Sequence, residues 1–499
     1  MEEELKMRFD YIIVQAGGKG TRLEHLTANK PKAIVPVENL PMLFHLFRKF
    51  PDKKFIIIAD YKKDVLRAYL ECFANVKYQV VDADGTGTCG GVKKALELLP
   101  DGEPFMLIWS DLILSDDFQL PKESNNYIGI SQTFPCRWKY EKGELVEERS
   151  QEYGVAGLFV FKDKSCLKDV PQSGELVRWL KGQNAKFMPL GLVGTREFGT
   201  LEEYAKLGAI KTRPFNKMTI SGDIIIKEPI DEQGCELAKR EKNWYQFAVN
   251  NGVTAIPRID RYEPLTMERI NGKNIYEIEA SKETLGKIVN ALKELHKIKT
   301  VQTDSFSLKE AYYTKTMERL DKIRELVPFA DRQTITVNGR DCHNVFFYRR
   351  DFEKLLEGLN CNHFTFIHGD CTFSNVMLRQ SGEPVFIDPR GYFGHTELYG
   401  DPNYDWAKLY YSVAGNYDQF NLKEFRLNIG EKDVELEIKS NGWEHLSDDF
   451  FDLIDTDKQS IELIHAVIWL SLTTYAWQDY DSICGAFYNG IYYLEECWQ

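Results

Sequence analysis

No apolar run in the 499 residues approaches the roughly 18 that a membrane-crossing helix needs, so no membrane span is expected. The opening Met1-Glu2-Glu3-Glu4-Leu5-Lys6 is acidic and lacks an apolar core, so no secretory signal is expected there. Cysteine is scattered: ten residues, no C-x-x-C and no metal-ligand spacing. That pattern fits free thiols in a reducing cytoplasm rather than a disulfide framework. A basic excess is missing as well. The 63 Lys and Arg are outnumbered by 76 Asp and Glu, a net charge of −13, which argues against a nucleic-acid partner. It leaves room for a small anionic substrate, which a few local cations can hold. There is no low-complexity segment and no repeat of solenoid period. What remains is an ordinary globular composition, 43% hydrophobic and 28% charged, over a length that fits two to four domains.

The stretch His368-Gly369-Asp370-Cys371-Thr372-Phe373-Ser374-Asn375 organises the rest. The apolar run Phe364-Thr365-Phe366-Ile367 delivers it, and a second run, Val385-Phe386-Ile387, delivers Asp388. An Asp, an Asn five residues later and an Asp after the next strand form the phosphoryl-transfer constellation of kinase-like folds. In it Asp370 accepts the proton of the attacking hydroxyl, while Asn375 and Asp388 hold Mg²⁺ against the nucleotide phosphates.

Near the start, the apolar strand Tyr11 to Val14 runs into Gln15-Ala16-Gly17-Gly18-Lys19-Gly20-Thr21-Arg22-Leu23. Gly17, Gly18 and Gly20 let backbone N–H groups curl around a polyphosphate, and Lys19 and Arg22 add charge. A segment beginning near Thr21 is expected to turn a helix N-terminus toward the anion. The loop is neither a dinucleotide fingerprint nor a Walker A loop. Nine residues after Arg22 comes Pro31-Lys32 before another apolar segment. Together these resemble the sugar-phosphate and phosphocholine nucleotidyltransferase superfamily. Two later stretches are similar to its members. Asp84-Gly85-Thr86-Gly87-Thr88-Cys89-Gly90-Gly91 resembles the loop at the nucleotide base, and Phe105–Trp109 followed by Ser110-Asp111 resembles the strand ending in a metal-binding Asp.

Glu197-Phe198-Gly199-Thr200-Leu201-Glu202-Glu203-Tyr204 resembles a further segment whose first acidic residue is the second metal ligand, with Glu where the family usually has Asp. The resemblance covers about residues 8–210. It implies that Gly17 to Arg22 and Lys32 cradle phosphates, that Gly87 and Thr88 lie at the base, and that Asp111 and Glu197 hold Mg²⁺. Strands expected at 11–14, 55–59, 78–82 and 105–109 alternate with helix-like segments at Leu40–Lys49, Lys63–Phe73 and Gly91–Leu99. That alternation predicts an α/β domain with a doubly wound, mostly parallel, Rossmann-like sheet.

The pattern changes near Lys211-Thr212-Arg213-Pro214-Phe215-Asn216, which places the domains at 1–212 and 213–499. Met218-Thr219-Ile220, a Ser221-Gly222-Asp223 turn and Ile224–Lys227 predict a β-hairpin, and a helix follows over Gly234–Asn250. With the 364–408 core, these resemble the aminoglycoside phosphotransferase and choline kinase superfamily. The resemblance implies an α+β, bilobal, protein-kinase-like domain with its small lobe over about 213–300 and its large lobe over 301–499. It makes Lys227 the phosphate-gripping lysine, with Glu241 (or Glu236) as its ion-pair partner. Thr266-Met267-Glu268-Arg269-Ile270-Asn271-Gly272 would be the hinge beside adenine, with Met267 and Glu268 at the nucleotide. Leu285–His296 should be helical, and Asp405 in Gly400-Asp401-Pro402-Asn403-Tyr404-Asp405-Trp406 should anchor the catalytic loop.

Two such domains on one chain imply a bifunctional transferase that uses ATP, a second nucleoside triphosphate and a small metabolite, with Mg²⁺ in both domains. The short first domain favours CTP and a choline-like headgroup. The aromatic tail, with Trp469 and Trp477, would supply a cage for a quaternary ammonium, although apolar neighbours such as Ile464 and Val467 favour core packing for these rings. A sugar-1-kinase fused to a sugar-1-phosphate nucleotidyltransferase is the rival, with Arg390 and His395 near the sugar. A nucleotide-binding regulator with degenerate sites is a third reading, opposed by the intact Asp111, Asp370, Asn375 and Asp388. The sequence leaves the oligomeric state open.

Overall fold

The computed structural model describes residues 9–85, 87–206 and 216–498. The chain divides into two compact units. One is Met1–Ile210 with Trp477–Asp481, and the other is Lys211–Ala476 with Ser482–Gln499. The change of pattern expected at 211–216 falls, up to residue 215, outside the described residues.

In the first unit four parallel strands carry the core: Phe105–Trp109, Tyr11–Gln15, Lys54–Ala59 and Lys77–Asp82, adjacent in that order. Ile12, Ile13, Val14, Phe105, Met106, Leu107 and Ile108 are all fully buried. Continuous apolar runs of this kind are required where helices cover both faces of a parallel sheet. Helices Lys63–Phe73 and Gly87–Glu97 make the crossovers. Gly154–Phe161 then joins antiparallel to Phe105–Trp109 and extends the sheet to a mixed edge. The strand order reverses between Tyr11–Gln15 and Phe105–Trp109, whose last residues Gln15 and Trp109 are register partners. Ligands of open α/β sheets bind at such a switch point, beyond the carboxyl ends of the strands. The glycine loop and Asp111 both begin there.

Several expected boundaries shift. The first helix starts at Met42 rather than Leu40, because Leu40–Pro41 pairs with Pro36–Val37. The helix expected from Gly91 starts at Gly87, which puts Gly87 and Thr88 in its first turn. The helix N-terminus expected near Thr21 is a 3₁₀ turn, Thr21–Thr27, broken at Glu24 with φ +48°, so it offers no α-helical end to an anion.

The first unit is completed by five residues from far along the chain. The Trp477 ring lies 5.6 Å from Phe44 and 5.9 Å from Phe73, and the Tyr69 hydroxyl donates to the Trp477 carbonyl. Lys30, its side chain 2% exposed, pairs with Asp479 at 3.0 Å and with Asp481. Asn29 also donates to Asp481 at 3.1 Å. Burial lowers the Lys30 pKa, but the two carboxylates outweigh it and the net shift is upward. Trp477 is therefore part of this unit's packing and does not line a substrate pocket in the second unit.

The second unit opens with a four-stranded antiparallel sheet, Asn216–Ser221, Ile224–Pro229, Leu265–Glu268 and Ile259–Tyr262 in that order. The helix Glu232–Asn250 follows the hairpin, and the Asp231 side chain caps it by accepting from Gly234 N at 2.6 Å. Below come Lys282–Lys297, capped by Ser281, and Pro402–Val413, capped by Asp401 with Pro402 at its first position. Two three-stranded sheets hold the strands before and after the loop 368–375: Thr300–Gln302, His363–Phe366 and Tyr399–Gly400 in one, Gly272–Asn274, Val376–Arg379 and Pro384–Phe386 in the other. Helix Lys458–Leu472 supplies core residues, among them Trp469, which is fully buried and packs edge-on against Tyr411 and Phe420. Trp469 thus exposes no ring face to a ligand, and it lies in a different unit from Trp477. No helix among the described residues is long and apolar enough to cross a membrane, and the ten cysteines are free.

Lys30→Met would leave Asp479 and Asp481 buried without their cation. Such losses cost about 3–5 kcal/mol. The unfolding transition of the first unit in urea should move to a clearly lower midpoint, and an unchanged midpoint would contradict the packing described.

Candidate functional site

Two carboxylate centres stand at the places the strand ends prepare. In the first unit, Gly20 turns the loop with φ +65°, and a Cβ there would sit 3.0 Å from the Lys32 side chain. Lys32 pairs with Asp111. The short ladder of Arg196–Glu197 with Leu112–Ile113 brings Glu197 beside Asp111, and Phe198 N donates to the Asp111 carbonyl at 3.0 Å. Arg22 approaches Glu197 at 3.8 Å. Any side chain at position 199 would collide with Glu197, since a Cβ there would lie 2.0 Å from its Oε1. A side chain there would force the Glu197 carboxylate out of this position.

Burial raises the Glu197 pKa first, Asp111 raises it further, and Lys32 and Arg22 only partly oppose them, leaving it at about 7. Two carboxylates held against each other at this cost form a donor set that suits a hard divalent cation. Lys19, Gly18 and Thr21 are exposed around the loop, and Gly17 packs against Asp60. On the far side, Thr88 Oγ1 accepts from Leu176 N at 2.8 Å, and Gln15 Nε2 donates to the Thr88 carbonyl at 3.0 Å. Gln15 thus ties the strand end to the Gly87–Thr88 turn. Its place at the end of an apolar strand was the only sequence signal for that role.

In the second unit the loop 368–375 is held by a buried carboxylate. Asp405, fully buried, accepts from His368 N at 2.8 Å, Gly369 N at 2.7 Å and His296 Nε2 at 3.0 Å. His368 Nε2 donates to the Ile387 carbonyl at 3.0 Å, and its Nδ1 accepts from Asp370 N at 3.2 Å. That arrangement needs a neutral ring, and burial lowers the His368 pKa accordingly, against Asp405 and Asp370. Asn375 Nδ2 donates to the Asp370 carboxylate at 3.0 Å, and Lys408 lies 3.0 Å from the other Asp370 oxygen. Burial raises the Asp370 pKa, but Lys408 and then Arg390 outweigh it and hold the carboxyl below its usual range. Asp370 is therefore held in its ionised form at neutral pH.

Asp388 adopts φ +56°, a left-handed conformation that an Asp tolerates better than most side chains. Lys227 bridges Asp388 and Glu241, with the Glu241 contact at 2.6 Å. Asn375 and Asp388 offer oxygens of the kind Mg²⁺ takes, since that ion commonly uses one or two protein carboxylates plus phosphates and water. Among the described residues no group of three or more His, Cys, Asp or Glu could hold a metal by itself, and such a site does not require one. Met267 and Glu268 end the strand Leu265–Glu268, and Arg379 braces Glu268 at 3.0 Å. Arg390 donates to the Tyr404 and Tyr392 hydroxyls at 2.9 and 2.8 Å, while His395 N donates to Ser307 Oγ. Lys408 carried no expectation. It lies three residues after Asp405 on one helix, so both face the loop.

Glu197→Gln removes one of two opposed carboxylates. In chelator the first unit should melt about 2–4 °C higher, the shift that about 1 kcal/mol gives a domain of this size. Added Mg²⁺ should raise the melting temperature of the natural protein and not that of the variant. A variant that melts lower in chelator would contradict the opposition.

Residues 11–125 match the family model for nucleotidyl transferases, and residues 231–431 match that of the phosphotransferase enzyme family. The bifunctional protein GlmU of Methanocaldococcus jannaschii is 33% identical over 110 residues, 21% of this chain and 26% of that protein. The mannose-1-phosphate guanylyltransferase catalytic subunit beta of Dictyostelium discoideum is 32% identical over 114 residues, 21% of this chain and 32% of that protein. The chain thus spans about a quarter to a third of the length of these curated relatives. Among solved structures, the CTP:phosphocholine cytidylyltransferase LicC of Streptococcus pneumoniae is 19% identical and aligns with 41% of this chain and 100% of its own, at a TM-score of 0.35. This chain joins a nucleotidyl transferase family segment to a phosphotransferase family segment.

Proposed function

We propose that the second unit phosphorylates a hydroxyl of a small metabolite with ATP, and that the first unit links the new phosphate to a nucleotidyl group from a second nucleoside triphosphate, releasing pyrophosphate. The observation that carries this reading is the presence on one chain of two acidic centres, Asp111 inside the first family-matched segment with Glu197 beside it, and Asp370 with Asn375 and Asp388 inside the second.

In the second unit the acceptor hydroxyl gives its proton to Asp370. Its oxygen bonds to the γ-phosphorus of ATP as the bond to the β–γ bridging oxygen breaks, and ADP leaves. Lys227 holds the nucleotide phosphates, and Glu241 holds Lys227. In the first unit the acceptor phosphate is already a nucleophile and needs no base. It attacks the α-phosphorus, while Lys32, Arg22 and the loop Gly17 to Thr21 bind the phosphates and the departing pyrophosphate. Mg²⁺, bound at Asp111 with Glu197 and at Asn375 with Asp388, would neutralise phosphate charge in both. Met267 and Glu268 lie at the adenine edge, and Gly87 and Thr88 at the other base. Ten free cysteines fit a reducing cytoplasm as the place of action.

CTP is the favoured second nucleotide because the first domain is short. The choline reading loses its support from the aromatic tail, since Trp469 is buried and Trp477 packs in the first unit. A sugar acceptor is the second reading, favoured by the mannose-1-phosphate guanylyltransferase relative.

The test is coupled turnover by the full chain with ATP, Mg²⁺, one of CTP, UTP or GTP, and a panel of amino alcohols, polyols, sugars and hydroxy acids, followed by mass spectrometry. A nucleoside-diphosphate adduct should appear with one acceptor. Asp370→Asn should lower it by about 10²–10⁴-fold, and supplying the phosphorylated acceptor should restore it. Asp111→Asn should instead accumulate the phosphorylated acceptor. An adduct that survives Asp370→Asn at full rate would contradict the reading.

A further inference from the structure

Beside the catalytic loop, within the second unit, lies a pocket whose lining includes Lys315, Arg390, Tyr392, Tyr404, Ser471 and Glu310. Arg390 connects it to the loop, because its backbone N donates to the His368 carbonyl at 2.9 Å. Its guanidinium reaches the Tyr404 and Tyr392 hydroxyls. Behind the lining, Arg319 donates to the Ser471 carbonyl at 2.5 Å and hydroxyl at 2.8 Å, and its guanidinium lies 4.4 Å from the Tyr475 ring centre. The Tyr392 ring has Lys315 at 5.5 Å, Arg390 at 4.6 Å and Arg240 at 4.6 Å.

Among the described residues, none of Lys315, Arg319 and Arg390 forms an ion pair, and Glu310 is the one carboxylate in the lining. Against burial, tyrosine hydroxyls favour the charged form of Arg390, whereas burial and then the neighbouring Arg390 disfavour the charged forms of Lys315 and Arg319, a cost that an anionic ligand offsets. The field they make is visible on their neighbours. Burial raises the Tyr392 phenol, yet Arg390 and Lys315 bring it down to about 7. Burial first, and then Arg390, lower Lys315 to about 8.

We propose that this pocket is the acceptor site of the kinase unit and that it takes an anionic alcohol, a hydroxyl compound carrying a carboxylate or phosphate a few bonds from the oxygen that is phosphorylated. The assignment rests on the kinase reading above. The fixed anion lies on Arg390 and Lys315, which turns the free hydroxyl toward Asp370. Proton, phosphoryl group and ADP then move as described for that reading. A quaternary ammonium alcohol would meet like charge in a poorly hydrated site and be repelled.

Initial rates with γ-labelled ATP would be measured on the full chain across acceptors of similar size. Glycolate, glycerate and glycerol 3-phosphate are the anions, ethylene glycol and glycerol the neutral alcohols, ethanolamine and choline the cations. At least one anion should exceed every neutral and cationic acceptor in kcat/KM by about tenfold or more, the worth of one charge-assisted contact. Carboxylate and phosphate members separate the two anion types. Lys315→Met should raise KM for that anion about tenfold and leave KM for ATP unchanged, and Lys315→Arg should recover most of the loss. A neutral or cationic acceptor preferred in an Asp370-dependent reaction would overturn this inference and leave the kinase reading standing. So would a Lys315→Met protein with unchanged acceptor KM. No transfer to any acceptor, with no Asp370-dependent ADP formation, would overturn both.

Discussion

Asp405 has no exposed surface, yet it carries the hydrogen bonds that hold His368 and Gly369 in place. A carboxylate so far from water is stable only where donors replace its lost hydration. Two backbone N–H groups and the His296 ring do so here, and in satisfying Asp405 they fix the path of the loop that presents Asp370. The apolar strand His363–Phe366 below it and the buried Trp244, which donates to the Ile367 carbonyl at 2.7 Å, prevent the loop from relaxing. The path of the loop that carries Asp370 depends on that one side chain.

The same constraint operates in the first unit with the opposite outcome. Asp405 is satisfied completely by donors, whereas Glu197 is left opposed to Asp111 with only partial relief from Lys32 and Arg22. One arrangement builds a rigid support and the other a place where positive charge is wanted. Lys30 between Asp479 and Asp481 shows a third case, a buried cation satisfied wholly by the protein. In the pocket near Arg390 the sign is reversed, with Lys315 and Arg390 against one lining carboxylate, Glu310.

Much of this was legible in the sequence wherever the chemistry is local. The four parallel strands follow from uninterrupted apolar runs. Asp370, Asn375 and Asp388 can be grouped because a strand end, a tight loop and the next strand end keep them close whatever the remaining fold does. The hairpin and its helix made Lys227 and Glu241 a nameable pair, and the structure holds them 2.6 Å apart. What was not legible depends on distant packing or on exact phase. The Trp477–Asp481 segment belongs to the first unit through partners more than 400 residues away. Lys408 reaches Asp370 only because of the rotation of the helix that starts at Pro402. Trp469 and Trp477 share an aromatic stretch in sequence, but one packs in the core of the second unit and the other against Phe44 in the first. The 3₁₀ turn at Thr21 was hidden because the kink at Glu24 leaves no compositional mark.

The central claim is that the phosphate made in one unit is consumed in the other. The most direct measurement follows the γ-phosphorus of ATP. Full-length protein would be given γ-labelled ATP, unlabelled CTP and the acceptor, and the nucleotide product would be isolated. The account predicts that the label appears in the product, in the phosphate farther from the nucleoside. A nucleotide adduct that forms without the label, while the label appears only in inorganic phosphate or pyrophosphate, would contradict it.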